Sequence, residues 1–243
     1  MQRRSLPEFL DGEEGHYAAI IVAAGLADDD LLWASVAGKP LLAWTVDVFE
    51  RPALIGEVAL VVPRGRLDDA RALWLAEDWR RISVIAAGGA TRRESVYMGL
   101  QALSTGAQRV IVHEGGRPLV TEQMIAVGVQ ASARYGAASA CEPVAETIKR
   151  TRDGVVVETP DRASLVQLQT PQVFDYAALL DLHERADERI DARDDATMAL
   201  AMGLRVLTFP GGPDNIAVTT TDDLALVEAL LAGRMHPEVK WRP

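Results

Sequence analysis

The sequence predicts an α/β fold, with a mostly parallel sheet, helices on both faces and a protruding β-hairpin arm. Three observations support this prediction. Apolar strand-like runs alternate with helical patterns along the chain, which is typical of parallel sheets. The first run, residues 18–24, is continuously apolar, as expected of a strand buried on both faces. One segment breaks the alternation around Asp153-Gly154, a dipeptide that favours a two-residue hairpin turn.

The individual elements follow from these patterns. Strands are predicted at Tyr17–Ala24, Glu57–Val62, Ile82–Ala87, Arg109–His113, Ala137–Val144 and Arg205–Phe209. Helices are predicted at Pro40–Glu50, Leu67–Trp79, Arg92–Ser104, Glu122–Arg134, Tyr176–Ala186, Asp195–Met202 and Asp222–Leu231. Because ligands of such folds bind beyond the carboxyl ends of the strands, candidate site residues are expected there.

The chain of 243 residues is long enough for one large α/β domain. We expect that domain to span residues 17–232, with the arm at about residues 145–162. Residues 1–16 are polar and acid-rich and are expected to form a flexible N-terminal extension. Residues 233–243 are expected to form a C-terminal tail.

The composition excludes several classes of protein. With 35 acidic and 25 basic residues, a net charge of −10 and no basic run, the chain is not expected to bind nucleic acid, which requires clustered Lys and Arg. It has no signal peptide and no apolar run of about 18 residues, which predicts a soluble, cytoplasmic protein without a membrane partner. The lone Cys141 lies in an apolar run and is predicted to be a buried core thiol rather than a nucleophile.

The first candidate site is the end of the first strand, at Ala23, Ala24 and Gly25. These residues are small enough for another molecule to approach the backbone closely. Pro40, after the following loop, suits the first turn of a helix. The succession of a strand, a small-residue loop and a helix can form the first part of a nucleotide-binding site. A simple connection without a ligand is the alternative.

The second candidate is the pair Gly88-Gly89, which follows a predicted strand. Thr91 and Glu94 stand at the spacing of a capping box, so a helix should begin there. The two glycines are expected to leave N–H groups free for a flat ring or an anion. A structural turn is equally compatible with this pattern.

The third candidate is Glu114, at the carboxyl end of a buried strand, where a carboxylate can hold Mg²⁺. Arg117 lies three residues further on and is close enough to contact a phosphate. A solvated loop acid is the alternative for Glu114. The neighbouring His113 is predicted to be a packed or hydrogen-bonded histidine rather than a base.

The fourth candidate is the arm. An isolated hairpin is only marginally stable in water, so this one is expected to dock on a second copy of the chain. Polar and cationic residues gather on the arm and its exit, which suggests an anionic ligand or an acidic patch: Thr147, Lys149, Arg150, Arg152 and Arg162. A solvated hairpin face is the alternative. Thr170-Pro171-Gln172 and Pro213-Asp214-Asn215 are interpreted as rigid turns.

Taken together, these stretches resemble the 2-C-methyl-D-erythritol 4-phosphate cytidylyltransferase family. The resemblance rests on AAG at 23–25, GGATRRESV at 88–96, VHEGGRPLV at 112–120, TIKR at 147–150, VVETPDR at 156–162, QTPQVF at 169–174 and PDNIAVTTTDDLALVE at 213–228. It implies a Rossmann-like domain with a β-arm that clasps the other subunit of a homodimer. It also implies that the 4-phosphate of a sugar alcohol attacks the α-phosphate of CTP, with Mg²⁺ as cofactor and pyrophosphate as the leaving group.

The resemblance also assigns site residues. The cytidine would be held by Ala23, Ala24, Gly25, Gly89, Ala90 and Ser95. Arg117 would lie near the nucleotide and take part in catalysis, and Glu114 would occupy the metal-carboxylate position. Thr147 and Arg162, from the arm of the partner, would take part in catalysis and bind the sugar phosphate, and Thr170 would line that pocket.

The sequence departs from the family where phosphates would bind. The family's opening loop is glycine-rich, with an Arg and a later Lys. The loop here is LADDDLLWASV, with Asp28-Asp29-Asp30 in place of the cations. Ala217 stands where the family has Lys, and Lys39 aligns too late to replace the missing Lys. Because cations stabilise the phosphoryl transition state, each lost donor is expected to slow the reaction by ~10²–10³.

Three interpretations therefore remain. The enzyme works slowly, with Asp28–Asp30 recruiting extra Mg²⁺, or it acts on a related substrate. The third interpretation is a catalytically silent homodimer that binds a nucleotide or a partner protein. A dinucleotide-dependent oxidoreductase is disfavoured, because G-x-G-x-x-G is absent after the first strand.

Overall fold

The computed structural model describes residues 17–26, 29–104, 106–185 and 193–235. Its strands are β1 Tyr17–Val22, β2 Ser35–Val36, β3 Lys39–Pro40, β4 Ile55–Val62, β5 Ile82–Ala87, β6 Arg109–Glu114, β7 Ala137–Pro143, β8 Arg150–Arg152, β9 Val155–Glu158, β10 Val166–Asp175 and β11 Leu207–Pro210. Its helices are α1 Leu41–Glu50, α2 Leu67–Glu77, α3 Arg92–Ala102, α4 Glu122–Tyr135, α5 Tyr176–Arg185, α6 Asp195–Ala201 and α7 Thr221–Met235. The predicted extension at 1–16 lies outside the described residues, as does most of the predicted tail.

Seven of the strands form one sheet in the order β11-β7-β10-β6-β1-β4-β5. β1 lies in the interior of this sheet and pairs in parallel with both β4 and β6. Among the described strands of this sheet, only β10 runs antiparallel, against β6 and β7. The predicted Rossmann-like, mostly parallel sheet is therefore confirmed, and the carboxyl ends of β1, β4, β5 and β6 meet at one edge.

The sheet separates two hydrophobic cores. Ala19 and Ile21 of β1 face one core, which receives apolar residues of α1, α2, α4 and α7. Ala18, Ile20 and Val22 face the other, together with residues of α3, α5 and α6. Side chains that alternate between two buried faces explain why the first strand is apolar throughout. The prediction of helices on both faces is confirmed.

Helix α3 lies very close to the sheet because of Gly99. A Cβ atom at this position would stand 2.6 Å from Cγ2 of Ile20 and 3.0 Å from Cγ2 of Val61. No side chain fits there without displacing the helix. The first residues of α3 are thereby held beside the end of β1.

The short strands β2 and β3 and the long strand β10 are not predicted from the sequence. Thr170-Pro171-Gln172 was interpreted as a rigid turn, but it lies within β10. The prediction of a turn is therefore wrong. A strand can contain Pro171 because the pairing of β10 with β7 is interrupted between Leu168 and Gln172, where a residue without an N–H is tolerated. The peptide bond between Thr170 and Pro171 is cis. Pro213-Asp214 does form a turn.

The predicted hairpin arm is confirmed. Strands β8 and β9 pair in antiparallel fashion, and Asp153 and Gly154 between them have φ of 50° and 78°. Positive φ at both central residues is the geometry of a tight hairpin turn. Three consecutive valines of β9 are exposed by 52–64%, so the arm buries little apolar surface within one chain: Val155, Val156 and Val157.

One further prediction, on the lone cysteine, agrees with the structure. Cys141 is buried as a free thiol, and burial raises its pKa. Among the described helices, none is long and apolar enough to cross a membrane.

Candidate functional site

The loop after β1 meets the start of α3. Gly25 has φ of +73°, and a Cβ atom on it would lie 2.3 Å from the carbonyl carbon of Thr91. Only glycine fits both the backbone conformation and the close approach. The predicted pair of loops, 23–25 and 88–91, therefore forms one continuous surface.

Gly88 brings the same two loops together from the other side. A Cβ atom at Gly88 would lie 2.4 Å from Cβ of Ala24 and 2.7 Å from Oγ of Ser95. Gly89 N donates to Ser95 Oγ at 3.2 Å, and Ala90 N donates to a carboxylate oxygen of Glu94 at 2.6 Å. The predicted nucleotide-binding residues thus lie side by side.

The helix start of α3 is the predicted capping box, with Thr91 as its N-cap. Thr91 Oγ1 accepts from Glu94 N at 3.1 Å, and the Glu94 carboxylate accepts from Thr91 N at 3.3 Å. The expectation that the glycines leave free N–H groups is wrong. Gly88 N donates to Val62 O at 2.8 Å, and Gly89 N to the serine hydroxyl. A ligand that uses the N–H of Gly89 must therefore compete with Ser95.

The acidic loop turns back on β1. The Asp29 carboxylate accepts two backbone hydrogen bonds, from Gly25 N at 3.2 Å and from Leu26 N at 3.0 Å. Asp30 binds Arg66 instead, with 2.7 Å between Oδ1 and Nη2. Asp28 lies outside the described residues. Sequence reasoning placed the three aspartates where the family has cations and missed the contact of Asp29 with the backbone.

Glu114 at the end of β6 lies between two guanidinium groups. Its Oε2 accepts from Arg117 Nε at 2.8 Å, and its Oε1 lies 3.3 Å from Arg92 Nε. Burial alone would raise the pKa of Glu114, but the charges of Arg117 and Arg92 outweigh it and lower the pKa below its ordinary value. Glu114 is therefore an ion-paired carboxylate and not a solvated loop acid.

Arg92 connects this carboxylate with helix α6. Its Nη1 donates to Asp195 Oδ2 at 2.9 Å, and the side chain is only 11% exposed. Asp195 Oδ1 also lies 3.0 Å from Nε2 of His183. Burial alone would raise the pKa of Asp195, but the charge of Arg92 and the hydrogen bond with His183 outweigh it and bring the pKa to about 2. Sequence reasoning missed this group because its members lie up to 103 residues apart.

Polar residues of β10 and of the turn after β11 complete the site. Thr170 Oγ1 accepts from Glu114 N at 3.1 Å, and Thr170 O accepts from Asn215 Nδ2 at 2.8 Å. Asn215 O in turn accepts from Arg117 Nη1 at 2.8 Å. Thr170, Glu114 and Arg117 are therefore brought together.

His113 is packed, as predicted. Its ring is fully buried and lies 5.1 Å from that of Phe49, and its Nε2 is 3.1 Å from Arg117 O. Burial lowers the pKa of His113 to about 3, and the charge of Arg117 acts in the same direction. The ring is neutral at physiological pH.

A cavity of about 180 Å³ opens beside Glu114. Most of its lining is apolar or small: Leu26, Leu32, Glu114, Gly116, Ala217, Val218 and Thr219. Ala217 thus faces the space where the resemblance would place a lysine. Lys39 does not supply the missing charge, because its Nζ pairs with Asp47 and lies 3.9 Å from Glu77.

The remaining predicted residues stand apart on the arm. Thr147 and Arg162 are both exposed, and Arg162 Nη1 donates to Ala145 O at 2.7 Å within the arm. Lys149 Nζ donates to Thr159 Oγ1 at 2.7 Å across its base. Their predicted contribution to a site requires the arm to reach another subunit.

The site presents few ligands to a metal ion. Within the described ranges, no group of three or more His, Cys, Asp or Glu residues could hold one. Glu114 provides oxygen, the donor type that Mg²⁺ prefers, but both of its oxygens face arginines. As it stands, this carboxylate is not a preformed metal site.

The sequence is similar to those of known proteins over most of its length. Residues 17–233 match the family model described as "IspD: 2-C-methyl-D-erythritol 4-phosphate cytidylyltransferase". A relative of that name from Alkaliphilus oremlandii is 35% identical over 225 residues, covering 89% of this chain and 95% of the relative. Another, from Synechococcus sp., is 39% identical over 228 residues, covering 90% and 99%.

Solved structures give the same result for the fold. The 4-diphosphocytidyl-2C-methyl-D-erythritol synthase of Anaerococcus prevotii superimposes with a TM-score of 0.81 at 27% identity, covering 89% of this chain and 98% of that one. The 2-C-methyl-D-erythritol 4-phosphate cytidylyltransferase of Thermus thermophilus superimposes with a TM-score of 0.70 at 29% identity, covering 88% and 98%.

Proposed function

Because the chain belongs to the 2-C-methyl-D-erythritol 4-phosphate cytidylyltransferase family, we propose that it transfers a cytidylyl group from CTP to 2-C-methyl-D-erythritol 4-phosphate. The match over residues 17–233 carries this proposal. An oxygen of the acceptor phosphate bonds to the α-phosphorus of CTP, and the bond to the leaving pyrophosphate breaks. Family membership favours this enzyme over a catalytically silent homodimer. A cytoplasmic location stays a prediction from the sequence.

The contact between the loops after β1 and β5 supports a role in nucleotide binding. Gly25 packs on the backbone at Thr91, and Gly88 packs on Ala24 and Ser95. A flat base could lie on this surface, because small residues let it approach the backbone. The residues proposed to hold the cytidine are Ala23, Ala24, Gly25, Gly89, Ala90 and Ser95.

The acceptor site is proposed to lie between two subunits. Thr170 lies beside Glu114, while Thr147 and Arg162 are exposed on the arm. An arm that reaches the partner would add a hydroxyl and a guanidinium group to the pocket at Thr170. Guanidinium is well suited to a phosphate, because it donates hydrogen bonds from a planar fork. The protein is therefore proposed to be a homodimer.

We propose Mg²⁺ as the cofactor, with Glu114 as its protein carboxylate. When bound, the ion would neutralise charge on the phosphates. Because Glu114 is already balanced by Arg92 and Arg117, the nucleotide phosphates would have to supply much of the negative charge that attracts the cation. Arg117 would remain near the nucleotide through its bond to Asn215 O.

The reaction is tested by incubating the protein with CTP, 2-C-methyl-D-erythritol 4-phosphate and Mg²⁺. Pyrophosphate is expected only when both substrates are present. The Ala217→Lys variant is expected to raise kcat/KM by about 10- to 100-fold, because it restores a cation beside the cavity at Glu114. Ala217→Met is the control, since it adds a chain of similar length without charge.

Two outcomes would contradict these expectations. If there is no turnover and calorimetry detects no CTP binding at millimolar concentration with Mg²⁺, the proposed reaction fails. If Ala217→Lys behaves like Ala217→Met, a missing cation at this position does not limit the rate.

Removing the arm is expected to convert a dimer into a monomer. Lys149 and Thr159 are hydrogen-bonded to each other, so residues 150–158 can be replaced by Gly-Gly without separating the ends. The deletion removes the exposed valines of β9 that a partner would cover. Light scattering should show the mass fall from twice 26.3 kDa toward that of one chain.

The control for the deletion is Arg150→Ala, which removes an exposed ion pair with Glu158 but keeps the hairpin. This variant is expected to remain dimeric. A mass that does not change when the arm is deleted would show that the arm does not hold the subunits together.

A further inference from the structure

The two N–H groups after β1 already bind an anion, which is the side chain of Asp29. Gly25 N and Leu26 N both point to this carboxylate, at 3.2 Å from Oδ2 and 3.0 Å from Oδ1. Successive backbone N–H groups around a residue of positive φ form a concave anion-binding surface. Gly25, with φ of +73°, has that conformation. The carboxylate therefore occupies the position that an external anion would take.

The rest of the acidic loop holds Asp29 in this position. It begins a 3-10 turn, Asp29–Trp33, whose Leu31 and Leu32 are 9% and 1% exposed. Asp30 on the outer side is fixed by Arg66 at 2.7 Å. Two buried leucines and one ion pair thus anchor the turn that presents the carboxylate to the backbone.

The adjoining cavity offers a phosphate little compensation. Leu26 and Leu32 of the acidic loop line it together with Ala217 and Val218. Among the described residues that line it, none is cationic, and its carboxylate, Glu114, already pairs with Arg92 and Arg117. A polyphosphate tail would therefore gain the N–H groups of the loop only by displacing Asp29.

We propose that Asp29 is an internal competitor for the phosphate tail of the nucleotide and thereby determines how strongly polyphosphates bind. The carboxylate lowers the affinity for the tail because it occupies the N–H groups of Gly25 and Leu26. The affinity for base and ribose stays nearly unchanged, because those groups would lie on the small residues of the two loops and do not need these two N–H groups. The application of this proposal to CTP depends on the proposed function. The competition itself does not, since any polyphosphate meets it.

The test is calorimetry with inorganic tripolyphosphate, without Mg²⁺, on the full chain and on Asp29→Ala and Asp29→Asn. Asp29→Ala is expected to bind tripolyphosphate about tenfold more tightly than the unaltered chain, because both N–H groups become available. Asp29→Asn is expected to show a smaller gain, because its amide oxygen still accepts from the loop but carries no charge. Asp68→Ala, which removes an equally negative but 96% exposed side chain on α2, is expected to show no gain.

A separate titration with cytidine distinguishes this inference from the proposed function. Cytidine is expected to bind equally to all four proteins. If cytidine binds none of them while Asp29→Ala still gains tripolyphosphate affinity, the nucleotide assignment fails and the competition stands. If both Asp29 variants bind tripolyphosphate no better than Asp68→Ala, the competition is disproved. If Asp29→Ala does not fold, Asp29→Asn alone tests the competition, because it keeps an acceptor for the N–H groups of the loop.

Discussion

Replacing Arg92 with alanine is expected to lower the free energy of unfolding by about 3–5 kcal/mol, the usual cost of removing one partner from a buried ion pair. Arg92 faces Asp195 at 2.9 Å and Glu114 at 3.3 Å. The Asp195 side chain is 2% exposed, so without Arg92 its charge would remain buried with His183 as its neighbour. Urea unfolding at pH 7 measures the loss.

The control for this prediction is Arg71→Ala. Arg71 also forms an ion pair, with Asp68, but both side chains are largely exposed, and the expected change is within about 0.5 kcal/mol. The double variant Arg92→Ala/Asp195→Ala should lose less than the sum of the two single variants, because the partners act on each other. A loss below about 1 kcal/mol for Arg92→Ala would show that the buried pair contributes little.

Stability is also expected to fall as the pH drops below neutrality, because of His113. The pKa of this buried ring is about 3 in the folded chain, against an ordinary value of 6.5. Between these values the unfolded chain binds a proton that the folded chain does not, so the stabilisation is complete above pH 6.5 and decreases toward pH 3. From pH 6.5 to pH 4 the loss is about 3 kcal/mol, at 1.36 kcal/mol per pH unit.

The variant His113→Gln isolates this contribution. It is less stable at pH 7 because the packing on Phe49 changes, but its unfolding free energy should vary less between pH 6.5 and pH 4 than that of the unaltered chain. Asp195, with a pKa of about 2 against 3.8, loses its stabilisation only at lower pH and does not affect this comparison. Identical pH slopes for the two proteins would contradict the assignment to His113.

Local signals in the sequence predicted much of the fold. The apolar runs located β1 and the second half of β4, because a strand segment buried on both faces needs apolar residues on both of them. Asp153-Gly154 located the hairpin, because its turn requires positive φ. Thr91 and Glu94 located the start of α3. In each case the residues that determine the structure are neighbours in the chain.

The features that the sequence did not reveal depend on distant residues. β10 was missed because Thr170-Pro171 has the composition of a turn, and only pairing with β6 and β7 makes the segment a strand. Arg92 and Asp195 were missed because no local pattern joins residues 103 positions apart. For Asp29, composition predicted the sign of the charge, but the turn that carries the carboxylate back to Gly25 depends on burial of leucines in the core.

The absence of a side chain at Gly99 has a consequence for the surface that the loops 23–25 and 88–91 form. α3 rests on β1 with no room for a methyl group, and its N-cap residue touches Gly25. A larger residue at position 99 would push helix α3 away from the sheet. The two small-residue loops beside the N-terminus of α3 would then separate. The spacing of these two loops is thus determined in the hydrophobic core, where Gly99 has a hydrogen atom in place of a Cβ atom.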